Sequence, residues 1–328
     1  MSDPAADKRY LIVGGAGFIG SHFADRLLAQ SSTDGVTVYD NFTSGRAWHL
    51  EGHTGDPRLT VTEADVHNRD SLQDACRDQD CVILLAANPD IARSASEPDL
   101  DFDQGTVLVR NTLEAMRETG CRKILYVSGS GVYGDIGETV ACEDAIDIRP
   151  ISTYGAGKLA GEGLIAAYTH MFDMQGFSFR LGNVVGPRQT HGVGYDFIRK
   201  LKADHQSLDI LGDGSQSKSY IHVDDVIAGM QTCSAKSARA YDVFNLASGD
   251  YITVAEIATL AVAALGFDDS SVERRYAGGD RGWKGDIPVV RMSIEKAAAL
   301  GWQPCNGSAE AMRMALDAIL AEPRCWNA

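Results

Sequence analysis

The sequence predicts an α/β fold: a doubly wound parallel sheet of Rossmann type, with a smaller interwoven C-terminal α/β domain. Three observations carry this. Short apolar runs alternate with helical patterns, the order expected of βαβ units. The first run ends in a glycine-rich turn that opens directly into a helix. Later runs are apolar without alternation, as suits strands covered on both faces.

The first strand is expected at 10–13. It runs into Gly14-Gly-Ala-Gly-Phe-Ile-Gly20, after which Ile19, Phe23, Leu27 and Leu28 recur at helical spacing. Such glycines let the backbone turn tightly and approach a pyrophosphate at the helix N-terminus. A second strand, 36–39, ends at Asp40, twenty residues past Gly20. A carboxylate there suits the adenosine ribose hydroxyls and repels a 2′-phosphate, so NAD is favoured over NADP; nearby Arg46 is the residue that argues the other way. The run 59–62 leads to a third strand end at Asp65, an acid placed to contact adenine. A fourth strand, 81–87, is nearly all apolar. A helix over 102–119 leads to a fifth strand at 123–127. Ser128-Gly-Ser-Gly-Val-Tyr-Gly134 follows it, and Ser128 and Ser130 offer hydroxyls to a reacting group, although a polar turn explains them too. All these motifs follow strands, and ligands of such sheets bind beyond the strands' carboxyl ends.

Further on, a sixth strand is expected over 176–183, a helix over 196–201, and short strands at 208–211 and 220–223. A helix runs from Asp224 to about Ser234, and a strand covers 243–247. Thr253 caps a helix reaching Leu265, with Glu256 at the capping-box position. A basic loop, Arg281-Gly-Trp-Lys-Gly-Asp286, precedes a last amphipathic helix over 309–320.

The 328 residues are 44% hydrophobic and 23% charged, which argues against a disordered chain. A net charge of −15 disfavours nucleic acid and anionic membrane as partners. The seven cysteines are odd in number and lack C-x-x-C spacing, as in a cytoplasmic protein with reduced thiols, and no metal site is visible. The N-terminus, 1–9, is polar and has no signal-peptide pattern. No apolar run reaches the ~18 residues of a membrane span.

The chemical centre is Tyr154-Gly-Ala-Gly-Lys158. On a helix, positions i and i+4 share a face. An ammonium held near a phenol favours the phenolate and lowers the tyrosine pKa from its usual value of about 10. Such a tyrosine can take a hydroxyl proton as hydride leaves the same carbon. Alone, the pair reads equally as a surface Tyr–Lys pair; after a dinucleotide-binding N-terminus it reads as catalytic.

These residues, with Asp40-Asn-Phe-Thr-Ser-Gly, Leu85-Ala-Ala, Val132-Tyr-Gly134, Arg180-Leu-Gly-Asn-Val-Val-Gly-Pro-Arg188, Gly212-Asp-Gly-Ser, Tyr220-Ile-His-Val-Asp-Asp225, Gly285-Asp286 and Leu300-Gly-Trp302, span nearly the whole chain. The chain resembles the extended short-chain dehydrogenase/reductases, specifically the nucleotide-sugar epimerases and dehydratases such as the UDP-glucose 4-epimerases. The resemblance implies tightly bound NAD, held by Gly14, Gly17, Phe18, Ile19, Gly20, Asp40, Asn41, Ser44, Gly45, Asp65, Val66, Leu85, Ala86 and Ala87 together with Tyr154 and Lys158. It implies a nucleoside-diphosphate sugar held by Asn183, Arg188, Lys218, Arg281 and Lys284. Tyr154 becomes the base at the sugar C4 hydroxyl. Lys218 stands where the family usually has a phosphate-binding Arg, and Arg281 and Lys284 lie in the loop that supplies another. A cofactor domain over 1–182, with 220–247 returning to it, is expected beside a sugar-nucleotide part of 183–219 and 248–328. The family also implies a homodimer through the 102–119 and Tyr154 helices, with Leu108, Leu113 and Met116 as contacts that core packing would explain equally well.

One departure stands out. At Gly129 the family usually has a Ser or Thr that hydrogen-bonds the sugar O4, so Ser130 or Ser128 is left to replace it. Sugar 4,6-dehydratases usually carry Asp-Glu just before Val-Tyr-Gly, where this chain has Ser130 and Gly131. That leaves 4-epimerisation of an NDP-hexose through a transient 4-keto sugar as the simplest reading, with the nucleotide open among UDP, GDP, dTDP and CDP; the resemblance implies a UDP-hexose. The alternatives are a C4 dehydrogenase or reductase, or an NAD-loaded protein without turnover. His191 and His222 are acid candidates, with a buried structural histidine the better reading of His222.

Overall fold

In the computed structural model the apolar runs become strands β1 (Arg9–Val13), β2 (Gly35–Asp40), β3 (Leu59–Glu63), β4 (Cys81–Leu84) and β5 (Lys123–Gly129), followed by β6 (Gln175–Leu181) and β7 (Tyr241–Leu246). The structure describes residues 7–89, 93 and 96–326; residues 1–6 of the polar N-terminus lie outside these. The seven strands form one sheet in the order β7-β6-β5-β4-β1-β2-β3. Every pairing from β3 across to β5 is parallel. Strand order reverses between β1 and β4, the switch point at which open α/β sheets take ligands. Leu11, Ile12, Val13 and all four residues of β4 are fully buried, which is why these runs lack alternation.

The chain forms two compact units. The first comprises the chain up to Ser128, Ala156–Phe179 and Ser234–Val243; the second comprises Gly129–Gly155, Arg180–Cys233 and Phe244 onward. Of the residues expected with the cofactor domain, 129–155, 180–182, 220–233 and 244–247 cluster with the second unit. The helix Thr153–Phe172 and strands β6 and β7 run from one unit into the other.

In the first unit the helix expected over 102–119 is interrupted. It consists of Pro98–Phe102, a π-helical turn Asp103–Val107, and Leu108–Thr119. The wide turn falls where two backbones meet. A Cβ on Gly105 would lie 3.2 Å from Gly157 Cα, and one on Gly157 would lie 2.9 Å from the Asp101 carbonyl oxygen. Leu108, Leu113 and Met116 are buried in the core of this unit, so core packing accounts for them.

In the second unit, helices Val193–Ala203, Val254–Ala264 and Ser308–Ala321 enclose a core that includes Phe197, Ile198, Leu201, Ile257, Ala261 and Leu316. Two-stranded pairs of this unit include Asn183–Val185 with Tyr220–His222 and Ser217–Lys218 with Ile252–Thr253. The Val254–Ala264 helix begins with the expected capping box: Glu256 N–H donates to Thr253 Oγ1 at 3.1 Å and Thr253 N–H to Glu256 Oε2 at 2.6 Å. Thr253→Ala is expected to cost about 1 kcal/mol of stability in urea unfolding, and an unchanged midpoint would show the box to be idle.

Candidate active site

The glycine turn is shaped by what it approaches. Gly14 has φ +84°, and a Cβ there would lie 2.6 Å from Ala86 N. Leu85 and Ala86 both donate their N–H to the Val13 carbonyl at 2.9 Å, which fixes the end of β4 against the end of β1. A Cβ on Gly20 would lie 2.3 Å from the Gly14 carbonyl oxygen, so the helix Phe18–Leu28 can start only with glycine there. Phe18 and Ile19 open that helix, half-buried.

Asp40, at the end of β2, braces this turn: its Oδ2 accepts from Ala16 N–H at 2.9 Å and its Oδ1 from Phe42 N–H at 2.8 Å. Burial pushes its carboxyl up, against the downward pull of those two bonds. Gly45 packs on this carboxylate, where a Cβ would lie 2.8 Å from Oδ1. Asn41 Nδ2 donates to Asp65 Oδ2 at 2.8 Å, and His67 N–H and ring Nδ1 both meet Asp65 Oδ1. Burial raises the Asp65 carboxyl, but these bonds outweigh it and hold the group below the usual range. Ser44 and Asp65 are exposed, Ala87 is half-buried and Val66 is buried. Arg46 donates from Nη1 to the Gly45 carbonyl at 3.2 Å.

Tyr154 and Lys158 stand one turn apart near the start of the Thr153–Phe172 helix, with Tyr154 half-buried. Lys158 is 3% exposed and its Nζ donates to the Val127 carbonyl at 2.8 Å. Burial pushes its ammonium down to about 8, against an upward pull from Glu162. Glu162 escaped the sequence reading, although the spacing that joins Tyr154 to Lys158 repeats between Lys158 and Glu162. Ser128 is buried and donates from Oγ to Glu162 Oε1 at 2.6 Å. Its proton is therefore already placed within the protein. Ser130 is half-buried and begins the short 3-10 turn Ser130–Tyr133. Gly129 is extended at φ −159°, and a Cβ there would meet nothing within 4 Å. Gly155 is needed for contact, because a Cβ on it would lie 2.6 Å from the Gly131 carbonyl oxygen.

In the second unit, Lys218 Nζ donates to Asp286 Oδ1 at 2.5 Å. Arg281 reaches the Asp286 carbonyl from Nη1 at 3.2 Å and Asp135 Oδ2 from Nη2 at 2.7 Å. Lys284 is exposed. Asp286 thus brings Lys218 and Arg281 together; the partnership with Asp135, 146 positions away, had no sequence signal. Asn183 begins its strand and donates its N–H to the Ser219 carbonyl at 2.9 Å. Arg188 holds a left-handed backbone at φ +64°. Tyr133 donates to Asn245 Oδ1 at 2.7 Å and is pushed up to about 12 by burial, so this tyrosine serves packing. His222 is buried and its Nδ1 accepts from Asp224 N–H at 3.3 Å, while His191 is exposed.

Residues 10–247 match the NAD dependent epimerase/dehydratase family. The chain belongs to this family. A putative UDP-glucose 4-epimerase of Methanocaldococcus jannaschii is 30% identical over 301 residues, covering 90% of this chain and 92% of its own. The UDP-glucose 4-epimerase of Mycolicibacterium smegmatis is 32% identical, covering 92% and 95%. Among solved structures, a UDP-galactose 4-epimerase gives a TM-score of 0.84 at 33% identity, covering 96% of this chain and 99% of the other. A dTDP-glucose 4,6-dehydratase of Streptomyces venezuelae, solved with NAD, gives 0.87 at 27% identity, covering 97% and 98%. The family's cofactor, NAD, fits the residues present: a glycine turn at the switch point, with a buried acid behind it.

Lys158 yields a test. Its folded pKa is depressed from 10.5 to about 8, so keeping it charged costs stability in full below about 8, and the cost fades as pH rises toward 10.5. Lys158→Met abolishes that titration. The stability of the variant relative to wild type is expected to fall as pH rises from about 7 to about 10, read by thermal unfolding, with turnover down at least ~100-fold. A pH-independent difference would contradict the burial of this charge.

Proposed function

We propose that the chain is an NAD-dependent nucleoside-diphosphate-sugar 4-epimerase, acting on a UDP-hexose through a transient 4-keto sugar. The observation that carries the reading is Tyr154 one helical turn from a buried Lys158, on a chain whose glycine turn and Asp40 are built for a dinucleotide. NAD supplies a reversible hydride acceptor for the sugar C4. Tyr154 takes the O4 proton and later returns it. Lys158 stabilises the phenolate by its charge. Gly14, Gly17, Phe18, Ile19 and Gly20 hold the pyrophosphate at the helix N-terminus. Asp40, Asn41, Ser44, Gly45, Asp65 and Val66 serve the adenosine end, and Leu85, Ala86 and Ala87 line the switch point. Asn183, Arg188, Lys218 and Arg281 hold the sugar-nucleotide diphosphate, where Lys218 acts as a point charge without the bidentate fork of Arg.

Dehydration is disfavoured by Ser130 and Gly131, which leave no carboxylate just before Val132 to eliminate water. Net C4 oxidation is the second reading, and Gly129 favours it by removing a hydroxyl at O4. Proton NMR on a panel of UDP-, GDP-, dTDP- and CDP-sugars with NAD separates the two. A new 4-epimer without accumulated NADH supports epimerisation; a 4-keto product with matching NADH sinks it.

Because Gly129 is extended with open space at its Cβ, Gly129→Ser should fold without strain. It is expected to raise kcat about tenfold by restoring one hydrogen bond. No change would assign that bond to Ser130.

A homodimer through the 102–119 segment and the Thr153–Phe172 helix is part of this proposal. Its support is the exposed apolar surface of Phe102 and Met171. A single-protomer mass in sedimentation would contradict it. The seven free cysteines are consistent with the cytoplasm, and cell fractionation tests that placement.

A further inference from the structure

We propose that Glu162 is a positioning residue for this reaction: it holds the end of β5 against the helix that bears Tyr154 and Lys158, and it is the counter-charge of the Lys158 ammonium. The inference rests on the reading of Tyr154 and Lys158 given above.

Three consecutive residues of β5 are tied to that helix. Tyr126 places its ring 5.1 Å from Lys158 Nζ and its hydroxyl donates to the Lys158 carbonyl at 3.5 Å. The Val127 carbonyl accepts from Lys158 Nζ at 2.8 Å, and Ser128 Oγ donates to Glu162 Oε1 at 2.6 Å. Gly161 permits the approach, since a Cβ there would lie 2.6 Å from the Tyr126 hydroxyl. Ser128, Lys158 and Glu162 are 3%, 3% and 4% exposed.

A buried carboxylate is costly unless it is paired and hydrogen-bonded. An apolar side chain would join strand to helix at lower cost, so the charge itself calls for an explanation. Lys158 and Glu162 occupy i and i+4 of one helix, on one face. Facing Lys158 are Glu162, one turn on in its own helix, and the Tyr126 ring and Val127 carbonyl of β5. Of these, Glu162 is the acid that favours the charged lysine. The same carboxylate uses the Ser128 proton, which makes Ser128 a link in the clamp and fixes the backbone where Gly129 begins.

Glu162→Gln keeps the shape and an acceptor for Ser128 but deletes the charge. Combined with Lys158→Met on NAD-loaded protein, it forms a cycle read by thermal unfolding, without turnover. The expected result is a clear loss of Tm in the wild-type background, and no loss or a gain when Lys158 is absent. Equal losses in both backgrounds would overturn the counter-charge. In the active enzyme, the basic limb of the kcat–pH profile is expected to move down by about one unit with little change in KM, because the lysine loses its proton sooner. A superimposable profile counts against the proposal. If Glu162→Gln does not fold, Ser128→Ala carries the test: it frees the clamp but leaves the charge, so kcat falls while the basic limb stays. An unaltered kcat would refute the positioning role. A wild-type protein with the coupling but no turnover on any UDP-sugar would sink the epimerase reading alone.

Discussion

The burial of one ammonium organises this molecule. Lys158 sits almost without solvent against the Val127 carbonyl, and burial alone would strip it of its proton well before free lysine. Nearby features can be read as consequences. Glycines at 157 and 161 bring the helix backbone close to Asp101, Gly105 and Tyr126. The π-helical turn at Asp103–Val107 accommodates the first approach, and π-turns of this kind often mark functional places. A charge kept in a dry layer has a stronger effect on a neighbouring phenol than one in water.

Around that charge the sheet supplies geometry and little chemistry. Its switch point lies between β1 and β4, where Gly14 and Ala86 nearly touch. Asp40 is tied by two backbone N–H groups, so its first duty is to hold the glycine turn. In the second unit two of the cations proposed for a diphosphate already have an acid, Lys218 with Asp286 and Arg281 with Asp135. An anionic ligand there must compete with those carboxylates, which fits a chain whose net charge is −15.

Much of this was legible in the sequence because it follows from local rules. Strand, glycine turn and helix at 10–28, the acid at Asp40 and the capping box at Thr253 and Glu256 depend on neighbours a few residues apart. The strand ends were less legible: β4 stops at Leu84, earlier than its apolar run, because Leu85 and Ala86 turn to the Val13 carbonyl. The break in the 98–119 helix was hidden because Gly105 meets Gly157 only in the fold. Ser128 shows the same limit. Its hydroxyl looks available to a ligand until Glu162, 34 positions on, is seen to hold it. Glu162 stands one turn past Lys158, yet in sequence a carboxylate on a helix ordinarily reads as a solvated one.

The central claim is that hydride leaves C4 and returns to the same carbon with no net redox change. The direct measurement is to incubate the protein with UDP-glucose deuterated at C4 and locate the label after equilibration. Epimerisation by this route predicts deuterium retained at C4 of both epimers, with none in solvent and none accumulating in reduced cofactor. Label lost to water, or held in NADH beside a 4-keto sugar, would contradict the account.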